Sequence, residues 1–214
     1  MRDRYLLLFL PFVVLVVGRL GVEVSARVLP LEWSWIPAFA VYYAVIQGCV
    51  VFARRRLGVV PSMGSWLPLP KVGLVLGGVV LPVLLTLRFF YLNVASIPVG
   101  FFVGIAVFAL VNAYFEELFW RGLLEELPGP PVFRSFYSAF LFGYSHYFLW
   151  GIYWLAEPAV VWITTCVVTF IMGLLWSWFY RRDGRLGYPI VSHILVDVGN
   201  LSVAVFFGLD LVFR

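Results

Sequence analysis

"NAYFEELFWRG", residues 112–122, decides the fold: it sets Glu116, Glu117 and Arg121 directly behind the apolar run "PVGFFVGIAVFALV", residues 98–111. Ionisable side chains in such a setting are costly, and where a chain keeps them they mark function. The run before them is long enough to enter a bilayer. The question it raises is what the charges do there.

The composition around this stretch points the same way. The chain has 214 residues, of which 63% are hydrophobic and 12% charged, whereas soluble domains carry about 25% charged residues. The apolar residues fall in seven blocks, near 5–22, 34–53, 72–91, 98–118, 135–155, 158–179 and 188–208. Each approaches the roughly 20 residues that span a hydrocarbon core. The expected fold class is therefore all-α, a polytopic transmembrane helical bundle of about seven spans. Connections are short, and no internal repeat or linker divides the chain. It reads as one membrane domain, 1–214, with the chemistry in a core over 98–208.

The net charge of +4 does not point to nucleic acid, because the basic residues lie between the blocks, where they set topology. With the N-terminus in the cytoplasm, the cytoplasmic ends hold Arg2, Arg4, Arg54, Arg55, Arg56, Lys71, Arg121, Arg134, Arg181, Arg182 and Arg185. The opposite side holds Arg19, Arg27, Arg88 and Arg214. This bias favours N-inside, C-outside. The first block also fits a cleaved signal peptide ending near Ala26; six further spans make an uncleaved anchor the preferred reading. Cys49 and Cys166 lie inside apolar blocks, give no disulfide framework, and read as small buried hydrophobes. Trp33, Trp35, Trp150 and Trp154 read as interfacial anchors. The stretch "GLVLGG", 73–78, hints at close helix approach.

Helix geometry sorts the charges. Adjacent residues point about 100° apart, so Glu116 and Glu117 have different roles. Glu117 and Arg121 are four apart with the acid first, the favourable order for an ion pair. Glu116 then faces elsewhere, with no partner among its sequence neighbours, which suits it to exchange protons. His146 and His193 are the chain's two histidines, and both fall inside apolar blocks. His193 and Asp197 share a face, so the carboxylate is placed to fix the imidazole tautomer. Pro189 suits the first turn of their helix. Counting rise per residue, Glu116, His146, His193 and Asp197 come to similar depths in the cytosolic half. A structural role for each alone is the plain alternative, but Ser or Asn would serve that purpose at lower cost.

Taken together, "EELFWR" (116–121), "FGYSH" (142–146) and "HILVD" (193–197) resemble the motifs of the CPBP family, the CAAX-protease and bacteriocin-processing intramembrane endopeptidases. The resemblance covers about residues 98–200. It implies peptide-bond hydrolysis within the membrane. Glu116 would activate water with help from His146, His193 and Asp197 would stabilise the oxyanion, and Glu117 and Arg121 would brace the site. Asn is the commoner family residue at position 197, and an ionised Asp cannot donate a hydrogen bond to an oxyanion. Asp197 is therefore expected either to stay protonated or to act by orienting His193. A zinc ion on Glu116, His146, His193 and Asp197 is the alternative; a metal-free, glutamate-based mechanism with no cofactor is preferred.

The expected partners are a membrane-anchored protein or peptide substrate and the lipid bilayer, with the oligomeric state left open. Substrate entry is expected laterally or from the cytosolic side near the prolines of "PGPP", 128–131. The expected location is a prokaryotic cell (inner) membrane, as a multi-pass protein. A non-catalytic membrane scaffold on the same fold is the main alternative. A proton-coupled transporter is a third, disfavoured by the lack of an internal repeat.

Overall fold

The computed structural model describes residues 2–61, 79–154, 159–209 and 211, and these are helical, with no strand among them. The helices are α1 (Leu10–Val28), α2 (Leu31–Phe52), α3 (Leu81–Asn93), α4 (Val99–Glu117), α5 (Pro131–Ser145), α6 (Ala159–Asp183), α7 (Gly187–Gly199) and α8 (Ser202–Phe206). Proline marks many of the starts. Pro11, Pro82 and Pro131 stand in the first positions of α1, α3 and α5, and Pro98 directly precedes α4. A proline there sacrifices a backbone N–H that has no helical partner anyway.

Four helical stretches among the described residues are long and apolar enough to cross a membrane: Arg4–Val28, Leu31–Leu57, Val99–Glu126 and Ala159–Asp183. The expected count of seven is thus not reached by length and composition. The third block is described only as the shorter apolar helix Leu81–Ser96, and its beginning, with "GLVLGG" at 73–78, lies outside the described residues. The fifth block is α5, then a wide π-helical turn at His146–Gly151 and one last turn at Ile152–Trp154. The seventh is broken. α7 ends at Gly199, Leu201 takes a left-handed backbone (φ 51°), and α8 follows. Lys71 and Arg214, used in the charge count, also fall outside the described residues.

The polarity of the bundle is inverted relative to a soluble protein. Leu20, Leu84, Val103, Val107 and Ile163 are exposed, while Glu116, Glu117, Arg121, Glu125, His193 and Asp197 are buried. That arrangement suits lipid outside and polar chemistry within. α1 packs along α2, α5 along α6, and α7 against α3, α4 and α6. Two expectations are corrected by this packing. Trp150 is buried and stacks on Phe39 (centroids 3.9 Å apart), so it is a core residue; Trp35 is half-buried and packs on Phe206, and Trp33 is exposed. Cys49 is buried, but Cys166 is only half-buried.

The α5–α6 contact is close enough to depend on glycine. A Cβ at Gly143 would lie 2.8 Å from the Cys166 carbonyl oxygen, and one at Gly173 would lie 3.0 Å from the Ala139 Cβ. Small residues at such crossings let helix backbones approach. The obstacle at Gly143 is backbone, which cannot rotate away. Gly143→Ala is therefore expected to cost about 1–3 kcal/mol, read as a lower thermal midpoint in detergent, and to disturb His146 three residues on.

The α4 stretch runs on to Glu126 beyond its α-helical part, but not as a regular helix. A π-helical turn covers Leu118–Leu123 and a tight turn covers Leu124–Glu126. Buried Glu125 then locks this end to its neighbours, accepting from the Ser135 hydroxyl at 2.8 Å and facing Arg181 at 3.6 Å. Its carbonyl accepts from Arg134 at 2.6 Å.

Candidate active site

Glu116 and Glu117 close the last α-helical turn of α4, and their side chains take different partners. Glu116 Oε1 accepts from the Tyr42 hydroxyl at 2.8 Å, and its Oε2 accepts from Asn112 Nδ2 at 3.3 Å. The expectation that Glu116 has no partner nearby in sequence is thereby corrected: Asn112 stands one turn earlier on the same face. The Tyr42 oxygen is itself held by the Trp120 indole N–H at 3.3 Å. The carboxylate is fixed by two donors from two helices.

Glu117 forms the expected pair with Arg121, 3.2 Å apart and with neither side chain exposed. The guanidinium lies 4.1 Å from the Phe142 ring centroid and 5.0 Å from that of Trp176, where aromatic faces favour a cation. The same oxygen, Glu117 Oε1, also accepts from His193 Nδ1 at 2.8 Å. Glu117 thus does more than brace Arg121.

His193 is clamped from several sides. Trp176 stacks on its ring at 4.5 Å with an interplanar angle of 19°, and anchors itself through Nε1 to Ser192 Oγ at 2.9 Å. With Nδ1 committed to Glu117, Nε2 faces Glu116 Oε2 at 3.5 Å and Asp197 Oδ1 at 3.7 Å. The tautomer expected to be set by Asp197 is set by Glu117 instead. Asp197 Oδ2 accepts from Asn112 Nδ2 at 3.0 Å, so one amide nitrogen bridges the carboxylates of Glu116 and Asp197.

His146 begins the π-helical turn His146–Gly151, and its Nδ1 lies 2.9 Å from the Phe142 carbonyl. A carbonyl only accepts, so Nδ1 carries the proton and Nε2 is left as the acceptor nitrogen. Wide π turns recur at functional sites, and here one follows Glu117 and another starts at His146.

These groups share one cavity of about 410 Å³, whose wall includes Asn112, Glu116, His146, His193 and Asp197. This is within the usual range for ligand sites. Elsewhere its wall mixes apolar side chains, Leu85 and Phe89 from α3 and Val160, Val161 and Val168 from α6, with Arg88 and the threonines Thr86, Thr164, Thr165 and Thr169. The prolines at 128–131 are not among the residues of this wall. Among the described residues no group of three or more His, Cys, Asp or Glu side chains is arranged to hold a metal ion.

Sequence reasoning brought Glu116, Glu117, Arg121, His146, His193 and Asp197 to this site. It missed Asn112, Tyr42, Trp176 and Tyr43, whose hydroxyl donates to Asn112 Oδ1 at 3.0 Å. Asn112 had a usable signal, its i,i+4 spacing to Glu116. The others reach the site from α2 and α6, and local spacing carries no trace of that.

Residues 98–199 match the family model described as type II CAAX prenyl endopeptidase Rce1-like. No curated protein and no solved structure matches the chain. The matched segment takes in all three motifs, and with the four long apolar helices it makes the chain an integral membrane protein.

Proposed function

Residues 98–199 belong to the Rce1-like CAAX-endopeptidase family, and from that premise we propose that the protein hydrolyses a peptide bond of a membrane-anchored protein or peptide precursor, with Glu116 as the general base. The observation that carries this reading is Glu116 itself. It is a carboxylate 1% exposed, held by Tyr42 and Asn112 on the wall of a cavity it shares with both histidines.

The proposed chemistry runs through this chain's own groups. Glu116 takes a proton from water while the water oxygen bonds to the scissile carbonyl carbon. The carbonyl π pair moves onto its oxygen, giving an oxyanion. His146 Nε2 accepts a hydrogen bond from the water and orients it. A doubly protonated His193, braced through Nδ1 by Glu117 and Arg121, donates its Nε2–H to the oxyanion. The intermediate then collapses: the C–N bond breaks, its pair goes to nitrogen, and the nitrogen takes the proton that Glu116 holds. General-base catalysis and preorganised donors are the two sources of rate in such a scheme.

The apolar side chains on the wall, Leu85, Phe89, Val160, Val161 and Val168, suit an apolar substrate segment entering from the lipid. We place the protein in a prokaryotic cell membrane with its N-terminus inside. The test is cleavage of a membrane-anchored peptide library by the protein in nanodiscs, read by mass spectrometry. Discrete cleavage products are expected; folded protein that cleaves no library member overturns the assignment in favour of a scaffold. The mechanism is proposed as metal-free, so a chelator is expected to leave the rate within about twofold. Loss on chelation with recovery on added zinc would overturn that part alone.

A further inference from the structure

We propose that Asn112 is a further catalytic residue, whose side-chain amide donates a hydrogen bond to the oxyanion as it forms; this rests on the endopeptidase reading above. Asn112 lies on the cavity wall and is 5% exposed. Its nitrogen meets Asp197 Oδ2 at 3.0 Å and Glu116 Oε2 at 3.3 Å. Ionised carboxylates only accept, so the end of the amide facing them is its NH₂ group. The other end is pinned independently: Oδ1 accepts from the Tyr43 hydroxyl at 3.0 Å. The amide is held at both ends in one orientation, with both N–H bonds turned toward the reacting groups.

Asp197 has no proton to offer an oxyanion when ionised, although it stands at the position where an amide would be most direct. Asn112, touching it, supplies that amide from the neighbouring helix. The timing also favours donation in the transition state. At rest, one N–H serves Asp197 and the other serves the charged Glu116. As Glu116 takes the water proton its charge is lost and it becomes a weaker acceptor. The N–H facing it is then released just as negative charge appears on the substrate oxygen. A donor that strengthens its bond only in the transition state raises kcat and leaves substrate binding nearly unchanged. Asp197 and Tyr43 are positioning residues in this arrangement, keeping the amide from rotating.

The experiment compares wild type, Asn112→Ala, Asn112→Asp, the exchange Asn112→Asp with Asp197→Asn, and Tyr43→Phe, with Glu116→Gln as the inactive control. All are assayed in nanodiscs on the peptide that wild type cleaves, after size-exclusion confirms folding. Asn112→Ala and Asn112→Asp are expected to lose about 10²- to 10³-fold in kcat, the usual loss for one oxyanion donor, with KM within about twofold. The exchange is expected to recover at least tenfold over Asn112→Asp, because it returns an amide to the cluster. Tyr43→Phe is expected to lose about tenfold in kcat alone. Wild-type kcat in Asn112→Ala, while Glu116→Gln is dead, overturns this proposal and leaves the endopeptidase reading intact. So does a loss in Asn112→Asp that the exchange fails to restore. Absence of cleavage by wild type itself overturns the endopeptidase reading, and this proposal with it.

Discussion

Glu116→Gln is expected to lower cleavage by about 10²- to 10⁴-fold, the contribution of a general base, while the protein stays folded. The substitution preserves shape and keeps the local hydrogen bonds. The glutamine carbonyl can accept from Asn112, and its NH₂ can donate to the Tyr42 oxygen, which now donates to Glu116 Oε1. What is lost is the capacity to take a proton from water. The measurement is kcat in nanodiscs alongside the elution profile and thermal midpoint. Turnover near the wild-type rate would move the base to another residue, with His146 next in line because its Nε2 is the acceptor nitrogen.

The adjacent glutamate should behave in the opposite way. Glu117→Ala is expected to destabilise the fold by about 3–5 kcal/mol, because it leaves a buried charge without its counterion. Arg121 is 0% exposed, between the rings of Phe142 and Trp176, and has no route to water. The His193 Nδ1 proton loses its acceptor in the same stroke. Thermal midpoints in detergent test this directly. The double variant Glu117→Leu with Arg121→Met separates the two roles. It removes the orphaned charge, so stability should return, as it does when buried ion pairs are replaced by apolar groups. Activity should stay low, because His193 remains unbraced. A double variant as active as wild type would show that Glu117 acts on stability only.

How far the sequence could be read depended on whether each signal was local. The Glu117–Arg121 and His193–Asp197 spacings are single helical turns, and the rule that side chains four apart share a face is enough to pair them. The same rule reaches Asn112, but a neutral amide in an apolar run attracts less notice than a charge does. The Glu117–His193 bond joins residues 76 positions apart, and nothing in either segment announces the other. Asp197 looked like the partner of His193 because it is the carboxylate on the same helix; a carboxylate from α4 reaches Nδ1 instead. The span count of seven was not reached among the described residues for a different reason. Hydropathy sums over a window, so it passes through the left-handed kink at Leu201 that ends the α7 path after 13 helical residues. It likewise passes through the π-helical turns, since backbone hydrogen-bond register leaves apolar content unchanged.

Those turns bear on how this chain is to be compared with others. A π turn is commonly an α-helix with one residue added, so Leu118–Leu123 and His146–Gly151 mark two places where a relative can differ by a single-residue gap with the helices on either side intact. A relative without the extra residue would have a regular α turn there, and aligned without a gap each later position would be matched to a neighbour about 100° away around the axis. An ungapped alignment through either turn would then match residues that point in different directions, and a one-residue offset beside the motif would reflect bookkeeping of the helix rather than loss of the site.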